Sequence, residues 1–328
     1  MPKYLVTGAA GFLGYHLASA LSAERDAHIV CVDSFVRGER DTYYAELCQR
    51  SNVTGLELDL CDRDAVFSLP DDFDIVFHLA ALNGTQNFYE RPLEVLRCCT
   101  LPTFWLWERL GPSPLLKRFV YAGTSESYAS TVTRFAWEVP TGEEVPLSID
   151  DVSNPRWSYA ASKIHGEVLT AQAGRHYAKG FTIIRYHNAY GPRMGDRHVV
   201  PDFLMRAKHG EFVLYGYEDT RSFLYVTDAV DATIGLSKAE GADGQVVNVG
   251  SDQEISIQRL AGLMMEVCGF SGEITRHSSP RGSVHRRVPR IGKLQSLTGF
   301  APKVGLRDGL KLTADYYLAD ARDDQATD

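Results

Sequence analysis

Tyr159 and Lys163 stand four residues apart in the segment SYAASKIHGE (158–167), a spacing that puts both on one face of a helix. An ammonium beside a phenol favours the phenolate and lowers a pKa that is ordinarily about 10. A base poised in this way can take a hydroxyl proton while the carbon bearing it gives up a hydride. Tyr-x-x-x-Lys occurs by chance in many helices, so its meaning depends on what precedes it in the chain.

What precedes it is a glycine-rich turn. KYLVTGAAGFLGYHL (3–17) reads as a short apolar strand, then Gly8-x-x-Gly11-x-x-Gly14, then a helix. Gly8 allows the tight turn, Gly11 lets the backbone approach a pyrophosphate, and Gly14 lets the helix pack on the strand. The helix N-terminus, with Phe12 and Leu13, then presents free N–H groups to the phosphates. Asp33 answers the motif nineteen residues beyond Gly14, at the end of the second strand. A carboxylate there accepts from the adenosine ribose hydroxyls and repels a 2′-phosphate, which favours NAD over NADP, although Arg37 lies close by. Asp59 and Leu60 end the third strand and either flank the adenine or, for Asp59, cap a helix.

These residues need a scaffold. Apolar strands are expected at 3–7, 28–33, 54–60, 74–81, 118–124 and 181–186, with helices at 12–23, 62–68, 92–110 and 158–178. That alternation predicts an α/β fold with a Rossmann-type, doubly wound parallel sheet. After residue 190 the pattern loosens, with short segments at 211–216 and 245–250. Residues 1–180, with 226–250 returning to them, are therefore assigned to the NAD-binding domain. Residues 181–225 and 251–328 are assigned to a smaller C-terminal α/β region for the substrate, with a frayed tail at 319–328. The 328 residues carry a net charge of −8 and no basic tract, which argues against nucleic acid. No apolar run approaches the roughly 20 residues that span a membrane, and the N-terminus enters a strand directly, with no signal-peptide pattern. Six cysteines, none in a CxxC pair, indicate neither a disulfide framework nor a metal site, and they suit a reducing cytoplasm. His78 has no second ligand at metal spacing and reads as a structural hydrogen-bonding group. Trp105 and Trp107 read as core or subunit contact.

The chain resembles the extended short-chain dehydrogenase/reductases, specifically the NAD-dependent nucleotide-sugar epimerases and dehydratases. The resemblance covers nearly its whole length and rests on TGAAGFLG (7–14), HLAA (78–81), GTSESYA (123–129), YAASK (159–163), RYHNAYGPR (185–193), RSFLYVTDA (221–229) and RRVPRIGKL (286–294). It implies permanently held NAD, a nucleoside diphosphate sugar substrate, a 4-keto intermediate and a homodimer built on two helices, 92–110 and the one bearing Tyr159. It also implies that Leu79, Ala80 and Ala81 border the cofactor, that Thr124 holds the reacting hydroxyl, that Ser125 and Asn188 contact the substrate, and that Arg221 meets the pyrophosphate. Four positions depart from the family pattern. Cys99 and Pro102 replace an Asn and a Gly, and the proline should bend or tighten its helix. Arg290 replaces an Asp after Pro289. Gly123 replaces a Ser.

Glu126, in the triplet TSE, points to the reaction. The resemblance is to sugar-nucleotide dehydratases and UDP-glucuronate decarboxylases more than to simple 4-epimerases. A 4-keto group acidifies the C5 hydrogen, and in a glucuronate it creates a β-keto acid that loses CO2. Glu126 could equally cap or pair. A decarboxylase needs a cation for the substrate carboxylate, for which Arg185, Arg193 and Arg281 are candidates. The leading expectation is an NDP-uronate decarboxylase. A 4,6-dehydratase, a 4-epimerase and a non-catalytic NAD-binding regulator stand as alternatives.

Overall fold

The computed structural model describes residues 1–195, 198–279 and 284–323, so Arg281 lies outside the described residues. Six strands come first: β1 (Lys3–Thr7), β2 (His28–Asp33), β3 (Val53–Glu57), β4 (Ile75–His78), β5 (Arg118–Thr124) and β6 (Gly180–Tyr186). They form one parallel sheet in the order β3-β2-β1-β4-β5-β6, and the strand Gln245–Val249 closes it beyond β6. Both faces are covered, and alternate residues serve opposite layers. Val6, Ile29, Cys31, Phe77 and Ile184 pack with Leu17 and Leu21 of the helix Phe12–Leu21. Leu5, Val30, Val32, Val76 and Phe119 pack on the other face with Leu106, Trp107 and Leu110 of the helix Pro92–Leu110. Trp107 is therefore core; its ring stacks on Phe119 at 4.5 Å. Strand order reverses between β1 and β4, where a crevice opens beyond the strands' carboxyl ends.

Several boundaries differ from the expected ones. β6 pairs with β5 on one side and Gln245–Val249 on the other, so residues 180–186 are central to the large sheet and not part of the smaller region. The helix Pro92–Leu110 runs unbroken through Pro102. The segment 319–323 completes the helix Leu306–Asp323, while 324–328 lie outside the described residues. The smaller region has its own core, in which Val200, Phe203 and Leu204 meet Leu260, Met264 and Leu310. Its three-stranded sheet places Thr220–Ser222 between Glu254–Ser256 and Arg286–Arg287.

The glycine loop is packed with no room to spare. Gly8 has φ +68°, and a Cβ there would meet the Ala80 backbone at 2.9 Å. A Cβ on Gly14 would sit 2.0 Å from the Gly8 carbonyl oxygen, so the helix can approach the loop only with hydrogen at that position. Gly14→Ala is expected to destabilise the fold by about 1–3 kcal/mol, the usual range for overpacking, and to weaken NAD binding. Thermal unfolding and NADH fluorescence titration measure the two effects.

Candidate active site

A cleft of about 1090 Å³ runs from the glycine loop to the smaller region. Most of the residues singled out in the sequence line it: Gly8, Gly11, Phe12, Leu13, Gly14, Asp33, Asp59, Leu60, Leu79, Ala80 and Ala81 at one end, and Thr124, Ser125, Glu126, Tyr159, Lys163 and Asn188 at the other. The ends of β1, β2, β3 and β4 supply the first set. β5 and the helix Ser158–Tyr177 supply most of the second.

The cofactor end is organised by backbone groups. Gly11 begins the helix Phe12–Leu21 with no side chain capping it, which leaves the first N–H groups available to an anion. A small-residue cradle and an uncapped helix start fit a dinucleotide pyrophosphate. Asp33 is buried, and its carboxylate accepts from the N–H of Ala10 at 2.9 Å and of Phe35 at 2.8 Å. It therefore ties β2 to the glycine loop while facing the cleft. Asp59 accepts from the N–H of Cys61, and the cap of the next helix is Asp62. Below the cofactor end His78 bridges Thr7 at 2.8 Å and Thr103 at 3.0 Å. Burial lowers its pKa to about 3, so it remains a neutral hydrogen-bonding strut. Asp33→Ala is expected to raise the ratio of NADP to NAD affinity about tenfold, equivalent to roughly 1.4 kcal/mol. Removing the carboxylate takes away its repulsion of the 2′-phosphate. Parallel titrations with NADH and NADPH give the ratio.

At the chemical end the Tyr159 ring stacks on Phe88, 5.0 Å between centroids and 10° between planes. Lys163 donates from Nζ to the Ala122 carbonyl at 2.8 Å, with Nζ 5.9 Å from the Tyr159 ring centroid. Both side chains are buried. The expected lowering of the phenol pKa does not hold in the chain alone. Desolvation pushes the Tyr159 phenol up, with Cys99 and Glu126 adding to it and the Thr124 hydroxyl opposing it. Desolvation likewise lowers Lys163. Thr124 ends β5 and caps the short turn Ser125–Tyr128 by accepting from the N–H of Glu126. Asn188, at φ +39°, donates to the Ser222 carbonyl at 2.9 Å.

Glu126 is the centre of a cationic cluster. Arg287 meets its carboxylate at 2.6 Å and Arg156 at 3.5 Å. Burial alone would raise its pKa, but Arg287 first, then Arg156 and Arg221, hold it below the usual carboxylate value. In the sequence Arg287 is marked only by the RRVPRIGKL segment (286–294), and nothing local marks Arg156. The two-residue strand explains the sorting: Arg286 points out to Glu254, while Arg287 turns into the cleft.

Of the arginines expected to hold the substrate, Arg185 and Arg221 lie off the cleft lining and Arg193 lies on it. Arg185 is buried and donates to the Glu167 carboxylate at 2.6 Å and to the Tyr128 hydroxyl at 2.7 Å, away from the cleft lining. Its charge is neutralised under the sheet and cannot meet a substrate carboxylate. Arg193 lines the cleft, where it pairs with Asp41 at 2.7 Å and lies over the Tyr15 ring, and its Nη1 is buried without a hydrogen-bond partner among the described residues. Arg221 donates to the carbonyls of Thr220 and His285 and does not line the cleft. Its neighbour across the strands, Arg287, does.

With this geometry in view, comparisons place the chain among known proteins. Residues 4–250 match the model of the NAD dependent epimerase/dehydratase family. The UDP-N-acetyl-alpha-D-glucosaminuronate decarboxylase of Bacillus cytotoxicus is 32% identical, covering 96% of this chain and 97% of that one. The UDP-glucose 4-epimerase of Thermotoga maritima, solved with UDP-glucose, superposes with a TM-score of 0.85 at 28% identity, over 97% of this chain and 99% of that one. The UDP-glucuronic acid 4-epimerase of Bacillus cereus, solved with UDP-glucuronic acid and NAD, gives a TM-score of 0.83 at 25% identity and the same coverage. The glycine cradle, Asp33 and the Tyr159–Lys163 pair thus belong to an NAD-dependent enzyme, and the chain is a member of the NAD-dependent epimerase/dehydratase family.

Proposed function

We propose that the protein is a decarboxylase of a nucleoside diphosphate uronate, with UDP-glucuronate as the leading substrate. The observation that carries this reading is the pairing of one carboxylate, Glu126, with two guanidinium groups, Arg156 and Arg287, beside Tyr159. That leaves positive charge in excess. Arg287 Nε is also buried without a hydrogen-bond partner among the described residues. An anionic sugar satisfies both. The curated decarboxylase relative supports the same reading.

Bound NAD supplies a hydride acceptor and a positive charge. Tyr159 takes the C4 hydroxyl proton, Thr124 orients that hydroxyl, and the Arg287 side of the cleft receives the C6 carboxylate. Oxidation at C4 makes a β-keto acid, whose C5–C6 bond breaks with its electrons flowing into the ketone. Glu126, beside the reacting sugar, suits the relay of a solvent proton to C5 once CO2 has left, by taking the proton and passing it on.

Turnover of UDP-glucuronate in D2O tests the reading. The expected product has lost CO2 and carries a carbon-bound deuterium. A product of unchanged mass with no carbon-bound deuterium overturns it in favour of a uronate 4-epimerase, the second reading, which the Bacillus cereus structure favours.

The homodimer belongs to the same proposal. Leu93, Leu96 and Phe104 leave an apolar stripe on the helix Pro92–Leu110, and Val168 leaves another exposed side chain on Ser158–Tyr177. No described helix is long and apolar enough to cross a membrane. The six free thiols suit a cytoplasmic setting.

A further inference from the structure

Cys61 and Cys98 come from separate elements and meet on the wall of the cofactor cleft. Cys61 lies in the turn after β3, and Cys98 lies on the helix Pro92–Leu110. Their sulfurs are 3.4 Å apart, and both residues line the cleft. Both are half-buried, whereas Cys31 and Cys99 are buried outright. Neither has a part in the chemistry above. The Cys61 thiol donates to the Cys98 sulfur. That hydrogen bond is the main cause holding Cys98 below its ordinary thiol value, with burial, Glu94 and Asp59 opposing and Arg97 helping. The same contact pushes Cys61 up. With the sulfurs in contact, one thiol can attack a reagent and the other resolve the product.

We infer that Cys61 and Cys98 are an oxidisable dithiol, closed by a small-molecule disulfide into an intramolecular bridge at the adenosine end of the cleft, in competition with NAD. The Cys98 thiolate attacks one sulfur of the reagent, forms a mixed disulfide and releases the first thiolate. Cys61 then gives up its proton, attacks the Cys98 sulfur and releases the second. Two protein thiols are oxidised by two electrons, and the reagent leaves as two thiols.

The sulfurs must close by about 1.4 Å to reach disulfide length. The local structure allows it: Pro102 has no N–H to donate to the Cys98 carbonyl four residues earlier, so that helical turn lacks a rung. Asp59 and Leu60, on the same turn as Cys61, border the cofactor end. A bridge draws this turn toward the helix, and a dinucleotide lying there covers both sulfurs. Linkage makes the antagonism reciprocal.

The test treats the full-length protein with oxidised glutathione, with and without saturating NAD, then alkylates free thiols and maps peptides by mass spectrometry. The expected result is a Cys61–Cys98 cross-link with Cys31, Cys48, Cys99 and Cys268 still alkylated, formed several-fold more slowly with NAD present. Cys99→Ser should keep the cross-link. Cys61→Ser should stop at glutathione on Cys98. Glutathione retained on Cys98 in the native protein, a Cys98–Cys99 link, or a rate indifferent to NAD would each overturn the inference. No sugar nucleotide enters the measurement, so its outcome is independent of the decarboxylase reading.

Discussion

Tyr159→Phe is expected to lower turnover by about 10²–10⁴-fold, the usual contribution of a positioned acid–base group, while the protein folds and binds NADH as before. Phenylalanine keeps the ring that stacks on Phe88 and fills the same buried volume. Only the phenol is lost. Burial raises the pKa of that phenol in the chain alone, so its activation depends on positive charge beside it, from Lys163 and from bound NAD. Lys163→Met should therefore cost nearly as much activity. It removes the buried ammonium and leaves the Ala122 carbonyl without that donor. Single-turnover mixing with a sugar nucleotide, read as NADH absorbance, isolates the oxidation step. If Tyr159→Phe retained more than about a tenth of native turnover, against the range above, another group would have to take the proton.

The two halves of the molecule were not equally readable from sequence. β1, β2, β5 and β6 are continuous apolar runs bounded by turn residues, and the glycine spacing identified the cofactor loop because steric demands at Gly8 and Gly14 admit no side chain. Segments such as Thr220–Ser222 and Arg286–Arg287 are only two or three residues long, and their pairing partners lie far away in sequence. Nothing local distinguishes them from loop. The arginines show the same limit. Residue type told that cations serve the site, but Arg185, which follows an apolar run, is neutralised beneath the sheet by Glu167, while Arg287 was sorted into the cleft by the alternation of a two-residue strand. The lowered phenol pKa was inferred from charge alone. Desolvation, a property of the packed state, outweighed it.

Glu126→Gln is expected to separate the first half of the reaction from the second. Thr124, Tyr159 and Lys163 are untouched, so the substrate should still be oxidised. The relay to C5 is lost, so NADH and a 4-keto sugar should accumulate and net turnover should fall by about 10²-fold or more, as for removal of an acid–base group. The glutamine also removes the negative charge that Arg287 and Arg156 share, so a simple structural role has to be told apart from a chemical one. Arg156→Gln provides the control. It weakens the cluster while leaving Glu126 paired with Arg287, and should lower substrate affinity without accumulating NADH. A stall confined to Glu126→Gln places the carboxylate in the proton transfer. A 4-epimerase, whose hydride leaves and returns at C4, never moves a proton at C5 and should not stall in this way. Equal NADH accumulation in both variants would show that the cluster only shapes the cleft. Undiminished turnover in Glu126→Gln would remove the C5 step from this residue altogether.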